Sequence, residues 1–542
     1  MDVDSDLDLV LLGGLLIDGT GSERRRADIG VVGGRIAAVG NLGARRARER
    51  VDVGGLVVAP GFIDMHSHSD KTILAYPEAT SRIGQGITTE LSGNCGGSAA
   101  PVSEERLEDV LALNRGHEPE TDFRWRSMDD FLVRVEAARP AVNLAMLVGH
   151  GSVRTAVMGF ERRAPDADEL RAMARLVDAA MADGAFGLST GLLYAPGSYA
   201  ELDEIVALAR VAGRRGGLYA SHIRNEARGL DDSVEEALAV GRAAGVPVQI
   251  SHMKAVGLGQ HGHLPAVLDR VRAERERGVD AAGDFYPYTA SSTGLRALLP
   301  GWVQEGGVDA MLERLAQPEV RLRIGRELVE GLPRWTNHVG AMGGSWQGVM
   351  IVQVQSEAGR RYLGRRVPEV AEARGSSDLD AVCDLLIAER GAVQIVNFAM
   401  AEVDVAAAAR TPWLMLGTDG SAIAPRAAEA RLVHPRAYGS TARFLHDHAG
   451  QDGGPTWEAA IERMTALPAR RLGLADRGRV AGGLWADLVV LDPARVEDLA
   501  TYERPHVPPA GVVHVLVNGR LALRDGRETG ERAGRVLRKG RA

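Results

Sequence analysis

From about Gly61 to Thr418 the chain alternates between apolar runs of strand length and helical stretches rich in Ala, Leu, Glu and Arg, such as DADELRAMARLVDAAMADG and DDSVEEALAVGRAAG. This alternation restricts the fold more than any other feature, because repeated βα units imply a parallel sheet covered by helices. The candidate strands are GFIDMH, GITTELS, NLAMLVG, AFGLS, GLYAS, PVQIS, GVDAAGDFY and PWLMLGT. Eight strands over this length fit an α/β fold of the closed (β/α)8, TIM-like kind better than an open doubly wound sheet. No Gly-rich phosphate loop follows the first strand, which argues against a dinucleotide-binding fold. VMIVQVQ and AVQIVNF also read as strands, between the seventh and the eighth, and residues 291–348 fit neither period, as an inserted lid or subdomain would.

Both ends of the chain have a different texture. LDLVLLGGLLIDG and ADIGVVGGRIAAVG near the start, and ADLVVLDP and VVHVLVNGR near the end, are short β-branched runs split by turn signals. Neither end could form a core alone, so residues 1–58 and 474–542 are expected to pair into one small β-domain beside a barrel over 59–473. An apolar fraction of 45% and a charged fraction of 25% suit a globular chain with a sizeable core. A net charge of -8 gives no reason to expect nucleic acid or an anionic membrane as partner. The opening MDVDSDLDLVLL is acidic where a signal peptide is basic, and no apolar run approaches the ~18 residues of a membrane span. A cytoplasmic protein acting on a small molecule is expected; oligomeric state is left open.

The chemistry gathers where the apolar strands stop, which in a barrel is one common rim. The first strand ends in Asp64-Met65-His66-Ser67-His68, the second in Gly93-Asn94-Cys95-Gly96, the fifth and sixth in Ser221-His222 and Ser251-His252, and the last in Thr418-Asp419-Gly420. Imidazole, thiolate and carboxylate are the ligands that zinc favours. His66 and His68, two apart at a strand end, point to the same side. The His261/His263 and His446/His448 pairs have the same spacing but lie in polar stretches, and read as solvated loops. Cys95 taken alone is equally a small buried hydrophobe, although Gly93, Gly96 and Gly97 suit a backbone turning into a site. Asp419 is open between ligand and helix N-cap, and His150 between an oxyanion or supporting role and a plain hydrogen bond. Cys383, in AVCDLLIAER, reads as helix core. The chain has three lysines against 61 arginines, so a lysine at a special place, Lys254 beside His252, suggests a need for a compact ammonium.

APGFIDMHSHSD, GITTELSGNCGGSAAP, GLSTGLLYAPGSYA, YASHIRNE, ISHMK, DFYPYTASST, GTDG, HPRAYGS and MTALPARRLGLADRG together resemble the D-aminoacylase (N-acyl-D-amino-acid deacylase) family of the amidohydrolase superfamily, in that family's order and through most of the chain. HSH and TDG are general to many amidohydrolases; GNCG with SHMK is more specific to the deacylases. The resemblance implies a β-sandwich beside the barrel and an insertion after the seventh strand. It implies a tight Zn2+ site at Cys95, His222 and His252, and a weaker second site at His66, His68 and Asp419 with Cys95 as bridge. Hydantoinases and dihydroorotases carry a bridging lysine at the fourth strand, where this chain has Gly187-Leu188-Ser189-Thr190. A linear amide is therefore favoured over a cyclic ureide.

The expected reaction is zinc-dependent removal of the acyl group from N-acyl-D-amino acids, with Asp419 as general base and then acid. The substrate carboxylate needs a cation and hydroxyls, for which Lys254, Tyr286 and Tyr194 are candidates, followed by Arg224, Tyr288 and Ser292. The competing expectations are another amidohydrolase acting on dipeptides, cyclic amides or carbamates, and a catalytically silent barrel that only binds.

Overall fold

The computed structural model describes residues 6–115, 121–426 and 431–540. Eight strands form its centre: β1 Phe62–Asp64, β2 Ile87–Ser92, β3 Asn143–Met146 with Val148–Gly149, β4 Gly187–Gly191, β5 Leu218–His222, β6 Val248–Ile250, β7 Ala281–Phe285 and β8 Leu414–Leu416. Neighbours pair in parallel from β1 to β8. The ring closes where Ser67 bridges Gly420 in parallel and the Met65 amide donates to Leu416 O at 3.4 Å.

The strand period of two separates two cores. Phe62, Leu144, Met146, Leu188 and Tyr219 pack between ring and helices. Their alternates Ile63, Ala145, Leu147 and Ala220 fill the barrel interior with Met415. The outer helices are set by local signals. Asp166 caps helix Ala167–Asp183 by accepting from the Asp168 and Glu169 amides, and Gly184 ends it at φ 114°, a conformation that glycine adopts freely. Its buried Met173, Val177 and Met181 face the ring. Burying each is worth roughly 1.5–3 kcal/mol.

After β7 the chain leaves the ring. Ala290–Gly294 and Val349–Gln353 both pair antiparallel with Gln394–Phe398, and helices Val308–Leu315, Pro318–Glu330 and Asp378–Ala388 cover this sheet. The inserted unit thus runs from Ala290 to Phe398, beyond the expected limit of 348. VMIVQVQ and AVQIVNF are its strands, not members of the ring. Residues 295–304 fit no period because they form two short 3₁₀ turns, Leu295–Leu298 and Gly301–Gln304. Cys383 lies in this unit's own core with Met311, Ile324 and Ile351.

The two ends of the chain meet in one sheet, where Val57–Pro60 pairs antiparallel with Leu488–Leu491. This seven-stranded sheet and a four-stranded one from residues 7–52 share a core of Leu9, Ile29, Val31, Val58, Leu488 and Leu516. Among the described residues no helix is long and apolar enough to cross a membrane.

Candidate metal centre

At the rim of the ring, β1, β2, β5, β6 and β8 deliver six donor side chains in two adjoining groups. Cys95, His222 and His252 form one; His66, His68, Cys95 and Asp419 form the other; in each group the donor atoms lie within 4.8 Å of one another. Cys95 belongs to both, its Sγ 3.4 Å from His252 Nε2 and 3.2 Å from His66 Nε2. His252 Nε2 is 3.0 Å from His222 Nδ1, and Asp419 Oδ1 is 3.0 Å from His68 Nε2 and 3.6 Å from His66 Nε2.

The backbone is bent to achieve this. Cys95, His252 and Asp419 hold φ of 54°, 34° and 49°, a region costly for residues with a Cβ and characteristic of functional sites. Asp284 ties the halves together: it accepts from His66 Nδ1 at 2.9 Å, from the His252 amide at 2.7 Å and from Gln249 Nε2 at 2.9 Å. Burial pushes the Cys95 thiol up, but the His66 and His252 rings against it hold it well below the usual thiol range, which favours the ligating thiolate. Burial likewise opposes ionisation of Asp419, and Arg436 with His66 outweighs it, holding the carboxyl well below its ordinary range.

The residues fit a divalent ion. Thiolate, imidazole and carboxylate lone pairs converge with too few protons between them to be mutually satisfied. Tetrahedral zinc with bonds of about 2.3 Å to sulfur and 2.05 Å to nitrogen sets ligand atoms about 3.5 Å (S to N) and 3.3 Å (N to N) apart. The spacings here are 3.4 and 3.0 Å.

The donors open on a cavity of about 310 Å³. Tyr194, Lys254, Tyr286 and Ser292 line it. Among the described residues the buried Tyr286 hydroxyl has no hydrogen-bond partner; Tyr194 Oη accepts from Thr293 Oγ1 at 3.2 Å, and Ser292 Oγ donates to Ile395 O at 2.8 Å. Two expected substrate residues are elsewhere. Arg224 turns its guanidinium to Glu236 and to the Ser198 and Ala200 carbonyls, and Tyr288 donates to Asp498 at 2.7 Å; neither lines the cavity. His150 is buried with Nε2 2.8 Å from Glu204 Oε1, a structural bond away from the cavity lining. Outside the centre, His263 bonds Asp231 at 2.6 Å at the start of helix Leu264–Glu276. His446 and His448 sit in the helical turn Phe444–His448, not in the loop expected of them.

Three charged residues were not singled out from the sequence. Arg436 Nη1 is 2.8 Å from Asp419 Oδ2, and its guanidinium lies 4.7 Å over the Tyr286 ring. Glu226 is hydrogen-bonded to Lys254. Arg296 lines the cavity, and among the described residues its guanidinium donates only to Leu113 O, at 2.9 Å. HPRAYGS and YASHIRNE held the signal for Arg436 and Glu226; nothing local marked Arg296 among so many arginines.

Comparison with known proteins agrees with this architecture. The chain matches the amidohydrolase family over residues 49–522. It is 39% identical to an N-acyl-D-glutamate deacylase and 38% identical to a D-aminoacylase, both of Alcaligenes xylosoxydans xylosoxydans, each match covering 98% of this chain and 97% of the relative. The crystal structure of an N-acyl-D-glutamate deacylase from Bordetella bronchiseptica, complexed with zinc and a phosphonate mimic of the tetrahedral intermediate, superposes with a TM-score of 0.81 at 36% identity, covering 98% of this chain and all of that one. With full-length likeness of this order and the same kind of barrel, the chain belongs to the amidohydrolase family, in its D-aminoacylase branch.

Proposed function

We propose that this protein hydrolyses the amide bond of N-acyl-D-amino acids with zinc as its metal, releasing a D-amino acid and a carboxylic acid, and that it favours amino acids with an acidic side chain. The observation that carries this reading is the convergence of Cys95, His222, His252, His66, His68 and Asp419 at one rim, beside a cavity that also presents Lys254, Arg436 and Arg296. Cys95, His222 and His252 would hold the tight ion, and His66, His68 and Asp419 a weaker one. A bound zinc lowers the pKa of water toward neutrality and polarises a carbonyl.

The chain's own residues do the rest. Asp419 takes the proton of the attacking water and delivers it to the leaving amine, as base and then acid. The α-carboxylate is held by Arg436 and Lys254, with the buried Tyr286 hydroxyl donating to it; the Lys254 ammonium lies 5.8 Å from the Tyr286 ring centre and Arg436 is stacked on the same ring. Arg296 addresses the other end of the amino acid. Burial and the like charge of Arg115 push its guanidinium down to about 10, so it stays charged at neutral pH. Among the described residues no carboxylate is in ion-pair range of it, so a cation taken largely out of water would be offset by an anionic side chain on the ligand. The relatives are named for D-glutamate and for D-amino acids generally, so their likeness leaves the side chain open; Arg296 is what favours the acid. The D configuration follows the relatives. A reducing, cytoplasmic setting would keep Cys95 reduced and free to ligate.

The test is to quantify bound metal, then to assay racemic N-acetyl amino acids beside hydantoin and dihydroorotate with chiral analysis of the products. Release of D-glutamate ahead of D-leucine, and of no L-product, is expected from metal-loaded protein. Activity on the cyclic amides alone, L-products, or equal turnover after metal is stripped would overturn the reading.

A further inference from the structure

We infer that Glu226 is a positioning residue: it fixes the ligating tautomer of His252, backs His222, and so governs how firmly the Cys95–His222–His252 group retains a metal. This rests on the proposal that those three residues bind the tight ion. Glu226 stands four residues beyond the end of β5 and is 3% exposed. Its Oε1 meets three groups: the Lys254 ammonium in a short hydrogen bond, His252 Nδ1 at 3.2 Å and His222 Nε2 at 3.6 Å. These are the outer nitrogens of both rings; the inner ones, His252 Nε2 and His222 Nδ1, face each other at 3.0 Å beside Cys95.

A neutral imidazole has one proton, and the nitrogen that ligates must be bare, so the other must carry the proton and find an acceptor. Two groups contest His252 Nδ1. The Lys254 ammonium, 2.8 Å away, can only donate. If it donated there, Nε2 would hold the proton and could not ligate. The Glu226 carboxylate can only accept, and it does two things with one oxygen: it draws the ammonium onto itself and receives the Nδ1 proton. Among the described residues no other carboxylate lies in ion-pair range of His222, His252 or Lys254. Among the described residues His222 Nε2 has no hydrogen-bond partner in the strict sense, and the Glu226 carboxylate faces it at slightly longer range. The other half of the centre uses the same device, with Asp284 accepting from His66 Nδ1.

The experiment uses purified zinc-loaded full-length protein dialysed against graded dipicolinate, with retained zinc read by atomic emission. Glu226→Ala should release zinc at about 10- to 100-fold lower chelator concentration than wild type. Glu226→Gln, whose amide oxygen still accepts, should recover part of the difference, and Lys254→Met should behave as wild type. Should Glu226→Ala fail to fold around an unpaired ammonium, the double variant Glu226→Ala/Lys254→Met carries the test and should lose zinc as the single one would. Wild-type retention in Glu226→Ala or in the double variant, with loss in Cys95→Ala, overturns the role of Glu226 alone. Equal loss in Lys254→Met and Glu226→Ala also overturns it, since the ion pair and not the tautomer would then matter. Wild-type retention in Cys95→Ala, or no zinc held by wild type, defeats the metal site itself and the inference with it.

Discussion

Arg436 holds Asp419 in a buried ion pair, Nη1 2.8 Å from Oδ2, while the other oxygen of the same carboxylate lies 3.0 Å from His68 Nε2. A carboxylate stabilised in this way is a poor base for as long as the pair is closed. In the proposed reaction the substrate's α-carboxylate competes for the same guanidinium. Binding therefore loosens the hold on Asp419 at the moment its basicity is needed, and couples occupancy of the cavity to proton transfer.

Asp419→Asn should lower kcat by about 10²- to 10⁴-fold, the usual worth of a positioned acid–base group. Metal in the tight site should stay near the wild-type level, because Cys95, His222 and His252 are untouched. Steady-state rates and metal content measured on one preparation check both halves. Undiminished turnover would remove Asp419 from proton transfer.

Arg436→Met and Lys254→Ala should both act chiefly on KM. Each removes a charge-assisted contact to the substrate carboxylate, worth about 1.5–3 kcal/mol, which corresponds to a rise of roughly 10- to 100-fold. Arg436→Met should lower kcat less than Asp419→Asn does. If KM stays unchanged in both variants, the α-carboxylate is bound elsewhere.

The barrel is legible in the sequence because each buried parallel strand is an apolar run with its donors written at its end: Asp64 to His68, Cys95, His222, His252 and Asp419 all follow such runs. That reading depends only on local pattern and on the rule that strand ends converge. Arg224 shows its limit. It follows His222 by two residues, yet the turn there sends its guanidinium outward to Glu236 and two carbonyls. Arg436 and Arg296 reach the cavity from segments outside the strand ends, and a chain with 61 arginines offers no compositional hint of which two matter. The rarity of lysine did point to Lys254, but not to Glu226, the buried acid that its ammonium meets. The insertion was truncated for a similar reason, since Ala290–Gly294 finds its partner only a hundred residues later at Gln394–Phe398.

Arg296→Leu should exchange one substrate preference for another. It removes the cation facing the cavity and leaves an apolar wall, so kcat/KM for N-acetyl-D-glutamate should fall by about 10- to 100-fold. The value for N-acetyl-D-leucine should rise. A panel of both substrates with wild type and variant is sufficient; parallel losses on both would show that Arg296 only supports the fold.

Glu90 gives the protein a pH-dependent stability that does not involve turnover. It is buried on β2, its Oε2 accepts from Ser67 and Ser69 hydroxyls at 2.7 Å each, and Oε1 has no hydrogen-bond partner among the described residues. Burial pushes the carboxyl up to about 6, against 4.5 ordinarily, with Arg82 only partly opposing it. The folded state therefore binds more protons than the unfolded state between those two values, and stability falls as pH rises through that window, then levels off above it. The loss is on the order of 2 kcal/mol. Glu90→Gln keeps an oxygen for the two serines and removes the charge, so it should raise the urea midpoint at pH 8 and change it little at pH 4.5. Unfolding curves of both proteins across pH 4.5–8 check this, the difference between them isolating Glu90 from every other titrating group. If the two profiles run parallel, Glu90 ionises in the fold without cost, and its unpartnered oxygen is solvated after all.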